Sequence, residues 1–266
     1  MLTYGSEEDQ LTIITTCVNY DDFLSLTLPH MVKWGRVIVI TDKQGFDTAK
    51  VAAKHGAELF TTDAWYKGES KFNKGAAINE AIADIKPKGW LLSMDADIVL
   101  LPQPLGSNSI STFDKEIMYG CPRRMCLGAA QWNNAMREGS WYDFPIDAFP
   151  PVIGGNKAKG KRARLWGTRP TANPVGVQGY FQLWHWPSHP HKMLEYHNAA
   201  MYDVELALKW EDDKRIVMPW PDYSVLHLGL RKLNWKGRET VRWDDQTTVD
   251  PIPEGDLERA AIKFHG

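Results

Sequence analysis

No hydrophobic run in this sequence approaches the ~18 residues a membrane span needs, so no membrane partner is expected. Cysteine is scarce. Cys17, Cys121 and Cys126 form no CxxC pair, which argues against a disulfide framework and leaves reduced thiols as the expectation. Charge of one sign is also lacking. Lys+Arg total 31 against 33 for Asp+Glu, giving a formal net charge of −2. That balance excludes a globally basic nucleic-acid binder but not a local basic patch. The opening MLTYGSEEDQ has no apolar core of the signal-peptide kind. There is no GxGxxG, no HExxH, no internal repeat and no low-complexity tract.

What is present is an ordinary globular composition of 266 residues, 43% hydrophobic and 24% charged, with 12 tryptophans available for core or for stacking on sugars and bases. The first half alternates strand and helix signals. Buried strands are expected at Leu11–Val18, Arg36–Thr41, Ala57–Thr61 and Trp90–Met94. Helices are expected at Leu24–Lys33 with Asp22 as cap, at Thr48–His55 closed by Gly56, and at Asn73–Ile85 stopped by Pro87. This βαβαβ order predicts an α/β architecture with a parallel sheet covered by helices on both faces. Ligands then bind beyond the carboxyl ends of the strands, where Thr15, Thr16, Asn19, Asp42, Asp95 and Asp97 should gather.

The second half is less periodic. Residues 103–175 are rich in Pro, Gly and Asn. Within them, 154–169 carries Lys157, Lys159, Lys161, Arg162, Arg164 and Arg169 and no acidic residue, which reads as a basic loop. Strand character follows at Gly176–Trp186, a helix is expected over His191–Trp210, and short strands at Arg215–Met218 and Ser224–Leu228. Trp235 and Trp243 should anchor the polar tail.

Asp95-Ala96-Asp97 is the central chemical signal. A buried strand ends there in two carboxylates that point the same way if the chain stays extended. Such a pair repels itself and calls for a cation, with oxygen ligands favouring Mg²⁺ or Mn²⁺. His227, in the apolar run SVLHLG, is either a core histidine or a third metal ligand. Asp203 and Glu205 either favour a helix start or supply a general base, and their spacing does not choose between these. The cluster His185, His189, His191 and His197 has no cysteine or HExxH partner to support a zinc site.

The segments LTIITTCVNY, FNKGAAINEAI (72–82), LLSMDADIVL (91–100), YDVEL (202–206) and SVLHLG (224–229) together resemble the GT-A glycosyltransferases. The likeness is to the family 2-like group with a galactosyltransferase-like C-terminal part. The stretch HLGLRKLNWKGR (227–238) resembles the ending of small phage-encoded members. The resemblance implies a single GT-A domain, Rossmann-like, with a mixed and mostly parallel central sheet. Residues 1–102 would form its nucleotide-sugar-binding half and 103–266 its acceptor half, the latter including the basic loop and a C-terminal metal-ligand segment.

It further implies that Asp95, Asp97 and His227 hold Mn²⁺ or Mg²⁺. Thr15, Thr16, Asn19, Asp42, Asn73, Lys74 and Asp95 would surround the donor, and Asp203 would be the catalytic base with Glu205 in reserve. Tyr202 departs from the family pattern, which often has Glu there.

The implied activity is transfer from a nucleoside-diphosphate sugar, UDP-linked in the first instance, to an acceptor hydroxyl with inversion. The acceptors left open are a polysaccharide, a protein, a small molecule and a hydroxymethylated base in phage DNA, for which the basic loop would supply phosphate contacts. The expected location is the cytoplasm, that of the host if phage-encoded. The contrasting reading is a non-enzymatic, Trp-rich module binding carbohydrate or nucleic acid, which would not need Asp95 and Asp97.

Overall fold

A computed structural model describes residues 6–100, 110–126, 128–138, 177, 179–199, 201–218, 225–228, 234 and 236–245. The expected βαβαβ half is present. Strands β1 (Leu11–Thr16), β2 (Arg36–Thr41), β3 (Glu58–Thr61) and β4 (Trp90–Asp95) alternate with helices α1 (Asp21–Met31), α2 (Phe46–His55) and α3 (Lys74–Ile85). After β4 come β5 (Ile98–Leu100), β6 (Met118–Gly120), β7 (Arg123–Cys126), α4 (Ala129–Glu138), β8 (Phe181–His185), α5 (Tyr202–Ala207), β9 (Arg215–Val217) and β10 (Val225–Leu228).

Seven strands form one sheet in the order β3-β2-β1-β4-β8-β6-β9. Pairing is parallel except where β8 meets β4 and β6. A second sheet, β5-β10-β7, stands beside it. In the main sheet Ile13 faces one core cluster and Ile14 the other, both essentially buried. Burial on both faces explains why β1 reads as a continuous β-branched run and not as an alternating one. Leu24, Leu28 and Met31 of α1 cover one face. Ala77, Ile78, Ala81 and Ile82 of α3 cover the other, at the i, i+1, i+4, i+5 spacing of a helical stripe.

Two expectations need correction. Asp22 does not cap α1: the helix begins at Asp21 after Tyr20, with no side-chain cap. The helix expected over His191–Trp210 is confined to Tyr202–Ala207. Residues 191–196 instead run as an irregular strap over α3, because Asn79 takes both backbone groups of Met193. Its Nδ2 donates to the Met193 carbonyl at 2.9 Å and its Oδ1 accepts the Met193 N–H at 2.8 Å. Gly75 permits this docking, since a Cβ there would lie 2.0 Å from the Leu194 carbonyl oxygen. Of the two uses left open for tryptophan, the described residues mostly show the core. Trp34, Trp65, Trp90, Trp132, Trp184, Trp210 and Trp243 are all buried, which removes them as a stacking platform. The cysteines are free and buried, as expected. Among the described residues no helix is long and apolar enough to cross a membrane. The basic loop 154–169 and Trp235 lie outside the described residues.

Candidate active site

The sheet register assembles the site. Thr16 at the end of β1 pairs with Asp95 at the end of β4, and the Cys17 N–H reaches the Ile40 carbonyl of β2 at 2.8 Å. Thr15, Thr16 and Asp95 therefore share one carboxyl edge, with Asp42 just past the end of β2. Thr15 is fully buried, and its hydroxyl has no hydrogen-bond partner among the described residues. Asn19 sits in the turn after β1 with φ +54°, a left-handed conformation that Asn tolerates better than most residues. Asp42 accepts from the Gln44 N–H at 3.1 Å and from the Tyr66 hydroxyl at 2.9 Å. Asn73 caps α3, its Oδ1 accepting the Ala76 N–H at 3.0 Å, so its amide oxygen is already engaged.

The chain turns at Ala96-Asp97 and does not stay extended, and the two aspartates take different partners. Asp95 Oδ1 pairs with the Lys74 ammonium. Lys74, nearly buried at the start of α3, lies 4.9 Å from the centre of the Tyr202 ring. Burial opposes its charge, but Asp95 and Tyr202 outweigh burial and hold its pKa above the ordinary lysine value.

Asp203 completes this group from α5. Its Oδ2 accepts the Gly179 N–H at 2.8 Å. A Cβ on residue 179 would lie 2.5 Å from that oxygen, so only glycine allows the approach. Gln182, buried in β8, donates to the Asp203 backbone carbonyl at 2.9 Å. Burial pushes the Asp203 carboxyl above its usual range, and Asp95 adds to this. The Gly179 and Val204 N–H groups and Lys74 oppose it without cancelling it. Glu205 lies two residues further along the helix, roughly 200° around its axis, and so points away from the place Asp203 occupies.

Asp97 lies in the turn that leads into β5 of the second sheet. Its Oδ2 lies 3.2 Å from His227 Nε2 on β10, and the Leu228 N–H donates to its carbonyl at 2.8 Å. Arg123 Nη1 lies 3.3 Å from His227 Nδ1. A guanidinium can only donate, so Nδ1 is the acceptor of this contact. Asp97 Oδ1 is buried and has no hydrogen-bond partner among the described residues.

Among the described residues no three His, Cys, Asp or Glu side chains converge into a ready-made metal cage. The donor chemistry still suits a hard cation. An unpaired buried carboxylate oxygen on Asp97, with Asp95 two residues before it, offers one or two protein oxygens. The remaining ligands would be phosphate oxygens and water, the usual arrangement for Mg²⁺. The histidine cluster stands apart at the far end of β8, where His185 pairs in register with Trp90. There His185 Nδ1 and Ser188 Oγ are 2.8 Å apart, and His189 packs on Trp210.

No protein family's sequence pattern matches the chain, and no curated protein matches it in sequence. Solved structures do. A mannosyltransferase from Pyrobaculum calidifontis, in complex with GDP-Man and Mn²⁺, superposes at a TM-score of 0.50 with 12% identity. The match covers 84% of this chain and 58% of that one. Glucosyl-3-phosphoglycerate synthase from Mycobacterium tuberculosis, in complex with UDP, superposes at 0.50 with 12% identity, over 88% of this chain and 79% of that one. The chain has the GT-A fold. At this identity the likeness concerns the fold, and the chain spans little more than half of the mannosyltransferase.

Several residues at the site gave no signal in the sequence. Tyr180 carries the Arg123 guanidinium 4.4 Å above its ring, and Gly179 holds Asp203. Arg123 faces His227 only because β7 and β10 pair in parallel, a long-range register that no local pattern encodes. An isolated Gly in an aromatic run was the one available hint for Gly179.

Proposed function

We propose that this protein is a metal-dependent glycosyltransferase that moves a sugar from a nucleoside-diphosphate sugar to an acceptor hydroxyl. The observation carrying this reading is the Asp203–Lys74–Asp95 group at the carboxyl edge of a GT-A sheet, with the unpaired Asp97 oxygen beyond it. The two solved structures with nucleotide ligands support the donor class, UDP- or GDP-linked. Residues 1–102 would bind the donor, with Thr15, Thr16, Asn19 and Asp42 around the nucleoside. Residues 103–266 would bind the acceptor.

In this mechanism the acceptor oxygen attacks the anomeric carbon as the bond from that carbon to the diphosphate oxygen breaks. The acceptor's proton passes to Asp203, whose raised pKa makes it a better proton acceptor than an ordinary aspartate. A single direct displacement inverts the anomeric configuration. Lys74 places a fixed positive charge beside Asp95, where the departing diphosphate would be received. Asp95 and Asp97 would hold Mn²⁺ or Mg²⁺, which neutralises the leaving diphosphate. His227, whose Nε2 lies 3.2 Å from Asp97 Oδ2, would be the third protein ligand of that metal.

Donor hydrolysis tests the metal assignment. Turnover of UDP- and GDP-sugars should vanish in EDTA and return with Mn²⁺ or Mg²⁺, and full turnover in chelator would contradict it. For the acceptor we propose a hydroxymethylated base in DNA as the first to test, on the strength of the six basic residues of 154–169 in a chain of net charge −2. Replacing Lys161, Arg162 and Arg164 together by Ala should flatten the salt dependence of DNA binding, by about one unit of log–log slope for each phosphate no longer neutralised. Absence of binding to such DNA at low salt would leave the transferase reading standing with another acceptor.

A further inference from the structure

The C-terminal stretch singled out in the sequence has no role so far beyond His227. In the structure its described part folds back onto the turn between β1 and α1, and Arg238 lies at the centre of the contact. Arg238 Nη1 donates to Asp22 Oδ1 at 2.6 Å and Nη2 to Asp22 Oδ2 at 2.8 Å. Nη1 also reaches the Asn19 carbonyl at 2.8 Å, and Nε the Thr240 carbonyl at 2.8 Å. The guanidinium lies 4.7 Å from the centre of the Tyr20 ring and 5.5 Å from that of Phe23. Side-chain exposure is 8% for Arg238 and 3% for Asp22, so this is an interior contact and not a surface ion pair. The Trp243 N–H adds a further donor to Asp22 at 2.6 Å. Burial opposes the Asp22 charge, but these donors outweigh it and hold the carboxyl below its usual range.

The gripped turn is the one that borders the site. Asn19 is held left-handed at φ +54°, with its carbonyl on Arg238. Tyr20 follows it, stacked on Phe23 at 4.6 Å, and its hydroxyl accepts from Asn234 Nδ2 at 2.9 Å. Asn234 Oδ1 in turn accepts the Glu239 and Thr240 N–H groups at 2.8 and 3.1 Å, which shapes the segment carrying Arg238. One planar, five-donor group thus joins the segment around Asn234–Thr240 to the turn between β1 and α1. Only arginine supplies that fork.

We propose that Arg238 is a positioning residue for the nucleotide donor: by holding the Asn19 carbonyl and Asp22 together it fixes the wall of the donor pocket. This rests on the reading given under Proposed function. A purely structural ion pair would affect stability alone, whereas a positioning residue affects donor affinity in protein that remains folded.

The test is calorimetric titration of UDP and GDP, each with Mn²⁺, into wild type, Arg238→Lys and Tyr20→Phe, alongside their melting temperatures. Lysine keeps a positive charge on Asp22 but removes the fork and the ring stack. R238K should raise the nucleotide Kd about tenfold, the effect of removing one charge-assisted hydrogen bond. With a sugar donor it should raise KM while leaving kcat at saturation within about twofold. Y20F keeps the ring and removes only the hydroxyl. It should raise Kd by about threefold with little change in melting temperature, and it decides the matter if R238K does not fold. Wild-type Kd in a folded R238K, or in Y20F when R238K does not fold, would overturn the positioning role even if melting temperatures fell. If wild type binds neither nucleotide, the transferase reading itself fails, and this inference with it.

Discussion

Replacing Asp203 by Asn should lower kcat by about 10²–10⁴, the usual cost of losing a general base. Donor KM should stay nearly unchanged. The substitution keeps the shape and an oxygen able to accept the Gly179 N–H. Its effect on stability carries a sign that separates catalysis from structure. The folded-state pKa of Asp203 is raised, so the native state binds this proton more tightly than the unfolded chain. The charged form therefore costs stability at neutral pH, and that cost shrinks as pH falls through the folded pKa and is gone below the unfolded one. Asn carries no charge to bury, so D203N should melt no lower than wild type at pH 7 while being nearly inactive. The wild-type pH profile of kcat should lose activity on the acid side at a pH above the ordinary aspartate range. A severe loss in Glu205→Gln with a mild one in D203N would move the base to Glu205, against its position on the helix.

Lys74→Met should be the second large effect, and it acts on binding and stability together. The substitution leaves Asp95 without its ammonium partner at a site where the lysine side chain is 10% exposed and the aspartate 34%. Breaking a fully buried pair costs about 3–5 kcal/mol, and the partial exposure of Asp95 reduces this to about 2 kcal/mol. A fall in melting temperature of roughly 4–8 °C should follow. Donor KM should rise by about 10–100-fold, the worth of one charge-assisted hydrogen bond to a phosphate. In an Asp95→Asn background the stability cost of K74M should shrink, since the two residues act as one unit. Equal costs in both backgrounds would show that the pair is not coupled.

The first half of the chain was legible because its signals are local. Buried β-branched runs marked β1 and β2, and the stripe from Ala77 to Ile82 marked α3. Pro87 beyond the left-handed Lys86 marked where α3 stops. The second half was legible only in part. The aromatic run ending at Trp186 does contain β8. The short strands read at Arg215–Met218 and Ser224–Leu228 contain β9 and β10, whereas β6 and β7, three and four residues long, are defined by their pairing and not by any pattern of their own. The strap at 191–196 shows the same limit: its spacing reads as helical, but one side chain, Asn79, outcompetes the helix for the Met193 backbone.

In the site, residue types were readable and their partners were not. Asp95 and Asp97 stand out as a pair, yet a two-residue turn sends one to Lys74 and the other to His227. Asp22 reads as a helix cap and is instead the partner of Arg238, 216 positions away. Tyr202 reads as a defect in an acidic motif. In the structure its ring lies beside the Lys74 ammonium, so the position holds a cation in place of adding an anion.

The most direct test of the central claim is titration of UDP-glucose and GDP-mannose into wild type and Asp97→Asn, each with Mn²⁺ and again with EDTA. A donor that binds wild type in Mn²⁺, loses at least about tenfold in affinity in EDTA, and binds D97N equally weakly in both buffers is the predicted result. Binding that ignores both the chelator and the Asp97 substitution, or no binding of either nucleotide sugar, would contradict it.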